Sequence, residues 1–288
     1  PESDIRDLRQ YTRYRKALVR DITSQKNRIE KLLQSSGFRL SVFLTDIFGS
    51  SGSAIMQQLV QVGFISGSSL QQCLKGRARQ KADAILTNLN GILSTPQRKL
   101  LKMQLDHLND LEDNLHEIEE QIRHDFSQFQ APIQLLDSIP GIDLTAAYAI
   151  LAEIGQTMAA FPTAQHICSW AGLAPGNHQS AGKKKKQRVS QGNNYLKTML
   201  CEVAWVIASH KKMYLSTWYW RLKQKTDSKR AIVALARKLL VIIYTMLKNN
   251  TPYDEQKFVE RKEASNQKRI YRMVNELTGL GFAVSLPA

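Results

Sequence analysis

Residues 135–155 read LLDSIPGIDLTAAYAILAEIG, and two apolar segments of helical period there flank the turn Ile139-Pro140-Gly141-Ile142. This is the pattern of a helix-hairpin-helix. Glycine lets the backbone turn tightly and approach a sugar–phosphate chain, and the free amides that open the second helix can meet a phosphate oxygen. Such contacts position nucleic acid without reading its sequence. A plain packing corner between two helices would have the same letters, so Pro140, Gly141 and Ile142 stand as candidate nucleic-acid contacts with that alternative beside them.

Downstream, residues 161–205 read FPTAQHICSWAGLAPGNHQSAGKKKKQRVSQGNNYLKTMLCEVAW. Ser180 lies in His178-Gln179-Ser180-Ala181-Gly182, ahead of Lys183, Lys184, Lys185, Lys186 and Arg188. A serine hydroxyl is a poor nucleophile alone, but neighbouring cations attract a phosphodiester and stabilise the charge that builds on it during attack. The same lysines also serve a loop that only grips phosphate. His178 is a candidate base or an ordinary exposed histidine. Trp205, Trp218, Tyr219 and Trp220 interleave with Lys211, Lys212, Arg221, Lys223 and Lys225, a pattern that suits stacking on unpaired bases or helical core packing. Tyr214 and Tyr219 carry hydroxyls too, without a recognisable recombinase setting.

Charge supports a polyanion partner. The 288 residues carry a net charge of +15, and it is uneven: residues 1–130 hold 18 Lys/Arg against 15 Asp/Glu, residues 131–288 hold 22 against 10. Neutralising phosphates releases counterions and drives association with nucleic acid. A membrane surface would need an amphipathic anchor that the sequence does not offer. Cys73, Cys168 and Cys201 are far apart and form no Cys-x-x-Cys pair, which points to a reduced, cytoplasmic setting without structural zinc. Asp137, Asp143 and Glu153 are too dispersed for two-metal chemistry.

Outward from the centre, the chain reads as mainly α. A first long helix is expected over 4–33, with Leu8, Tyr11, Leu18, Ile22, Ile29 and Leu32 on one seam, interrupted by Arg15 and Gln25, and a basic outer face. A second begins at Thr95-Pro96, with Leu101, Leu108, Leu115 and Ile122 every seven residues and an acidic outer face. Opposite charges favour an antiparallel coiled coil, with residues 38–94 as a small helical tip. Ala131-Pro132 divides this region, 1–130, from a helical C-terminal domain, 131–288, with helices expected over 145–154, 163–171, 194–209, 228–248 and 254–277. Residues 179–189 form the one long polar loop.

Taken together, Thr45-Asp46-Ile47-Phe48-Gly49-Ser50-Ser51-Gly52, Ile139-Pro140-Gly141-Ile142, Trp170-Ala171-Gly172-Leu173-Ala174-Pro175 and Ala236-Arg237-Lys238-Leu239-Leu240 resemble the insertion-sequence transposases of the IS one-ten (Piv/MooV-like) family. The resemblance implies a RuvC-like domain with an acidic DEDD metal set, then a coiled coil, then a serine-bearing transposase domain. It gives Ser180 the role of nucleophile, forming a phosphoserine link to DNA, with Lys183 and Arg188 in reach of the scissile phosphate; Gly182 is a further candidate nucleic-acid contact. Ala181 departs from a usual glycine. The acidic set is expected upstream of residue 1, so magnesium would sit there and no cofactor on this chain. The implied partners are double-stranded DNA, a guide (bridge) RNA and further copies of the chain, as a dimer or tetramer on DNA in the nucleoid of a bacterial or archaeal cell. The alternative is a non-catalytic DNA- or RNA-binding module that uses the hairpin and the lysine loop for grip alone.

Overall fold

The computed structural model describes residues 2–89, 91–174, 179–180, 183–184, 191–210 and 213–280, and they are mainly helical. Two compact units emerge, one of residues 13–125 and one of residues 1–12 with 126–288.

In the first unit, most of α1 (Ser3–Ser35) and α5 (Thr95–Asp125) are joined through three shorter helices, α2 (Ser50–Val62), α3 (Gly67–Cys73) and α4 (Ala82–Asn88). The two long helices run antiparallel, because contacts climb one as they descend the other. The Arg15 Nε–H donates to Glu119 Oε1 at 2.7 Å, and the Gln25 amide donates to the Gln104 carbonyl at 2.9 Å. Nearer the tip, the Gln97 amide donates to the Ser36 hydroxyl at 3.2 Å. The two polar interruptions of the seam are therefore its cross-helix contacts. Lys26 adds an ion pair to Glu112 at 2.8 Å. Between the helices, Ile22, Ile29, Leu33, Leu101 and Leu108 join Phe38, Leu40, Ile55, Met56, Leu59, Leu70, Leu74 and Ile85 in one core.

Helix α5 starts at Thr95 as expected, and its cap lies one residue earlier. Ser94, not Thr95, precedes the helix, and it exchanges bonds with Gln97: the Ser94 amide donates to Gln97 Oε1 at 2.9 Å and the Gln97 amide to the Ser94 hydroxyl at 3.4 Å. This is a capping box, which satisfies two end groups reciprocally. Leu101 is fully buried while Leu100 beside it is exposed. Leu101→Ala is expected to lower stability by about 2–5 kcal/mol through lost burial and the cavity left behind. Leu100→Ala should leave the urea midpoint almost unmoved, and equal losses would refute this packing.

The second unit adds α6 (Gln130–Asp137), α7 (Leu144–Ile154), α8 (Ala164–Trp170), α9 (Asn194–Ser209), α10 (Tyr214–Lys223), α11 (Ser228–Asn249) and α12 (Glu255–Gly279). Helix α11 is the hub. Its Leu235, Ala236, Leu239, Leu240 and Ile243 are buried, and it packs on α8, α9 and α10. Pro132 lies inside the first turn of α6, where a missing amide costs nothing, so it marks a helix start. Within the expected polar loop, β1 (Gln179–Ser180) pairs antiparallel with β2 (Lys183–Lys184). Among the described residues no helix is long and apolar enough to cross a membrane.

Candidate nucleic-acid interface

The segment bearing Ser180 leaves α8 and returns at α9, and both ends are tied down. At the exit, the Gly172 amide donates to the Ser169 carbonyl at 3.0 Å and the Leu173 amide to the Cys168 carbonyl at 2.9 Å. That pair of bonds, with Gly172 left-handed at φ +69°, is a Schellman ending. At the return, the Asn193 amide donates to the Trp170 carbonyl at 3.1 Å. Gly192 passes so close to the exit strand that a Cβ there would lie 2.2 Å from the Gly172 nitrogen. Two backbones cross at this foot, and only glycine fits the crossing.

Asn193 fastens the foot to the core. Its side-chain oxygen accepts from the amides of Tyr195 and Leu196 at 3.0 and 3.1 Å, capping α9. Its side-chain amide donates to Glu153 Oε2 at 2.6 Å. Glu153 is only 4% exposed, at the end of α7, and Arg9 reaches the same oxygen at 3.5 Å. Arg9 also donates to the carbonyls of Ala152 and Glu153 at 2.9 and 3.1 Å. A buried carboxylate needs such partners, because an unpaired charge in the interior is very costly.

At the other end of α7 stands the hairpin. Pro140 is exposed in the turn, and Gly141 has φ +96°. Ile142 departs from expectation. Its side chain is buried, and its amide donates to the Ile139 carbonyl at 3.0 Å. The first turn of α7 is capped by Asp143, whose carboxylate accepts from the Ala146 amide at 2.7 Å. Amides expected to be free for a phosphate are thus partly engaged within the chain, while Pro140 stays exposed and Gly141 half-buried. A Cβ on Gly141 would sit 2.8 Å from Ile207 Cγ1, so the turn packs directly on α9. Helices α7 and α9 lie antiparallel: Glu153 meets Asn193 at one end, and Gly141 meets Ile207 at the other.

Ser180 pairs with Lys183 across the β1–β2 ladder, and Gln179 with Lys184. His178, Ala181, Gly182, Lys185, Lys186 and Arg188 lie outside the described residues. The aromatic stripe is split by the fold. Tyr219 is buried, and its hydroxyl is withdrawn from solution. Lys238 lies over the rings of Tyr214 and Trp218 at 5.1 and 4.9 Å, and Tyr214 stacks on Phe258 at 5.4 Å. Burial pushes the thiols of Cys73, Cys168 and Cys201 above their ordinary range, so none is primed as a thiolate. Among the described residues no three His, Cys, Asp or Glu side chains gather as a metal site.

Sequence reasoning passed over Arg9, Gly192 and Asn193, and considered Glu153 only as too dispersed for metal chemistry. An asparagine directly before an apolar helical run signals a cap, and a lone glutamate inside AAYAILAEIG signals a buried partner. Neither signal says what the other touches.

The hairpin turn and the foot of the Ser180 segment thus stand at the two ends of one antiparallel helix pair, a frame built from α7 and α9. Residues 133–219, which span that frame, match the model of the Transposase IS116/IS110/IS902 family. It is 28% identical over 197 residues to a probable family 20 transposase of Pseudomonas aeruginosa, covering 66% of this chain and 58% of that protein. It is 34% identical over 125 residues to the pilin gene-inverting protein of Moraxella bovis, covering 42% and 38%. Against the transposase for insertion sequence element IS1111A of Coxiella burnetii it is 26% identical over 165 residues, covering 56% and 45%. The chain therefore spans between about two fifths and three fifths of the length of these relatives.

Proposed function

We propose that this chain is the DNA-handling part of a transposase or recombinase that cuts a strand with Ser180. The match of residues 133–219 to the transposase family carries this reading, together with the pairing of Ser180 to Lys183 on a loop clamped at its foot. In the step itself the serine oxygen bonds to phosphorus and the bond from phosphorus to the leaving sugar oxygen breaks. The hydroxyl proton passes to a base, and the leaving oxygen takes one up. One phosphoester replaces another, so the link can be reversed without an external energy source. Lysines beside the phosphate stabilise the charge of the transition state.

The acidic metal set and its magnesium are supplied by a further domain, and a guide RNA selects the DNA. Helices α1 and α5 form a coiled coil that serves assembly and RNA contact. At least two copies act together, because strand exchange needs cuts on both partners. The Pro140–Gly141 turn, with Pro140 exposed, contacts the sugar–phosphate backbone as a helix-hairpin-helix does.

The test traps reactions on nicked target DNA with guide RNA and magnesium, with an acidic domain of the family joined ahead of residue 1. Wild type is expected to give a shifted covalent band on a denaturing gel, and Ser180→Ala to lose it completely. A band in both proteins would place the nucleophile elsewhere. Binding without a band in either would support the non-catalytic grip.

A further inference from the structure

Helix α9 buries Leu196, Leu200, Val203, Ala204 and Ile207, and turns Tyr195, Glu202, Trp205, Val206 and Ser209 outward. Trp205 is 51% exposed and Val206 46%, on a helix whose other face is the heart of the unit. Trp220 of α10, 43% exposed, lies beside them and donates its indole N–H to the Ala208 carbonyl at 3.1 Å. Buried Tyr219 stands edge-on to both indoles, 6.4 Å from Trp205 and 5.4 Å from Trp220. The two rings are thus held from beneath, and each leaves surface to solvent. Lys223 sits 4.4 Å over the Trp220 ring, with Arg221 and Lys225 exposed on the same short stretch. Glu202 is the one acid on the outward face of α9, on the Tyr195 side of Trp205. The hairpin turn adjoins this surface, since a Cβ on Gly141 would lie 3.6 Å from Val206.

We infer that Trp205 and Trp220 form a stacking platform for unpaired nucleobases of a single strand whose phosphates are drawn by Lys223 and its basic neighbours. The inference rests on the nucleic-acid reading above and adds to it a strand state and a place. Three features argue for this occupant. Every base has a flat π face, so stacking tolerates sequence while demanding that the base be unpaired. Two indoles braced by one buried ring lose little side-chain freedom when a base arrives. The cation at Trp220 suits a polyanion, whereas a purely apolar partner would bury it at a cost. A duplex keeps its bases stacked on one another and offers no free face, so it meets the cations without the rings.

The test measures binding of labelled oligothymidine, oligouridine of the same length and a blunt duplex to the full chain, at two salt concentrations. Trp205→Ala is expected to weaken single-strand binding about five- to a hundredfold and to leave duplex affinity and the salt slope unchanged. Trp205→Leu keeps apolar bulk without a ring face and should behave like Trp205→Ala, while Trp205→Phe should recover most of the loss. Lys223→Ala should weaken every probe and flatten the salt slope. Equal losses for oligothymidine and oligouridine would mean that base faces alone are read, and a loss confined to oligouridine that the strand is RNA. Trp205→Leu binding like wild type would overturn the platform, as would equal losses for duplex and single strands. So would a tryptophan-dependent self-association with no change in single-strand binding, which would assign the surface to a second copy. If wild type binds none of the three probes, the nucleic-acid reading itself falls.

Discussion

Gly192→Ala is expected to lower the stability of the unit containing α6–α12 by about 3 kcal/mol, the upper range for forced overpacking. The added methyl would lie 2.2 Å from the Gly172 nitrogen and 2.6 Å from the Ala171 carbonyl carbon, and both are backbone atoms with no rotamer to change. Relief requires the foot of the Ser180 segment to open. That in turn breaks the bond from the Asn193 amide to the Trp170 carbonyl and exposes the start of α9. Urea denaturation followed by far-UV circular dichroism measures the loss. Gly279→Ala, where a methyl meets nothing within 4 Å, is the matched control. A midpoint equal to wild type for Gly192→Ala would mean that the two strands do not cross as described.

Glu153→Ala is expected to cost about 3 kcal/mol by the same measurement. The variant strips the Asn193 side-chain amide of its acceptor at 2.6 Å and removes the carboxylate facing Arg9. Arg9 keeps its two backbone carbonyls and is itself partly exposed, which holds the loss below that of a fully buried ion pair. Glu153→Gln keeps an acceptor and should cost about 1 kcal/mol. Asn193→Asp sets two carboxylates against each other and should be as damaging as Glu153→Ala. The double variant Glu153→Gln with Asn193→Asp restores one donor and one acceptor, and the new carboxylate still caps α9. Recovery of most of the single-variant losses would establish direct coupling, while additive losses would show that the two residues act separately.

Much of the helical frame was legible because helix ends announce themselves locally. The helices expected over 194–209 and 228–248 match α9 and all but the last residue of α11, and the caps found at their starts, Asn193 and Asp227, bond locally. Arg15 and Gln25 looked like flaws in a seam, because a seam read on one helix cannot show what the facing helix supplies. Helix α10 was hidden by its composition: ten residues rich in rings and cations carry too short a period to separate helix from stacking loop. The β1–β2 ladder was hidden for a similar reason, since two-residue strands have no alternation to detect. At the site, the polar loop and the hairpin turn were visible as letters. The clamp of Arg9, Glu153 and Asn193 was not, because its members are brought together from three distant parts of the chain. The same limit applied to Ile142, whose side chain turns inward beside a turn that packs on α9.

The antiparallel pairing of α7 with α9 also makes the unit a measuring stick. Helix α7 has 11 residues, so the hairpin turn and the loop foot stand roughly 16 Å apart at 1.5 Å per residue. Successive phosphates of one B-form strand advance 3.4 Å along the duplex, which makes that distance about five steps. That interval is about half a helical turn, so one strand would present its phosphates at the two ends on opposite sides of the duplex. Neither helix can change that interval alone, because Glu153–Asn193 and Gly141–Ile207 lock both ends of the rule.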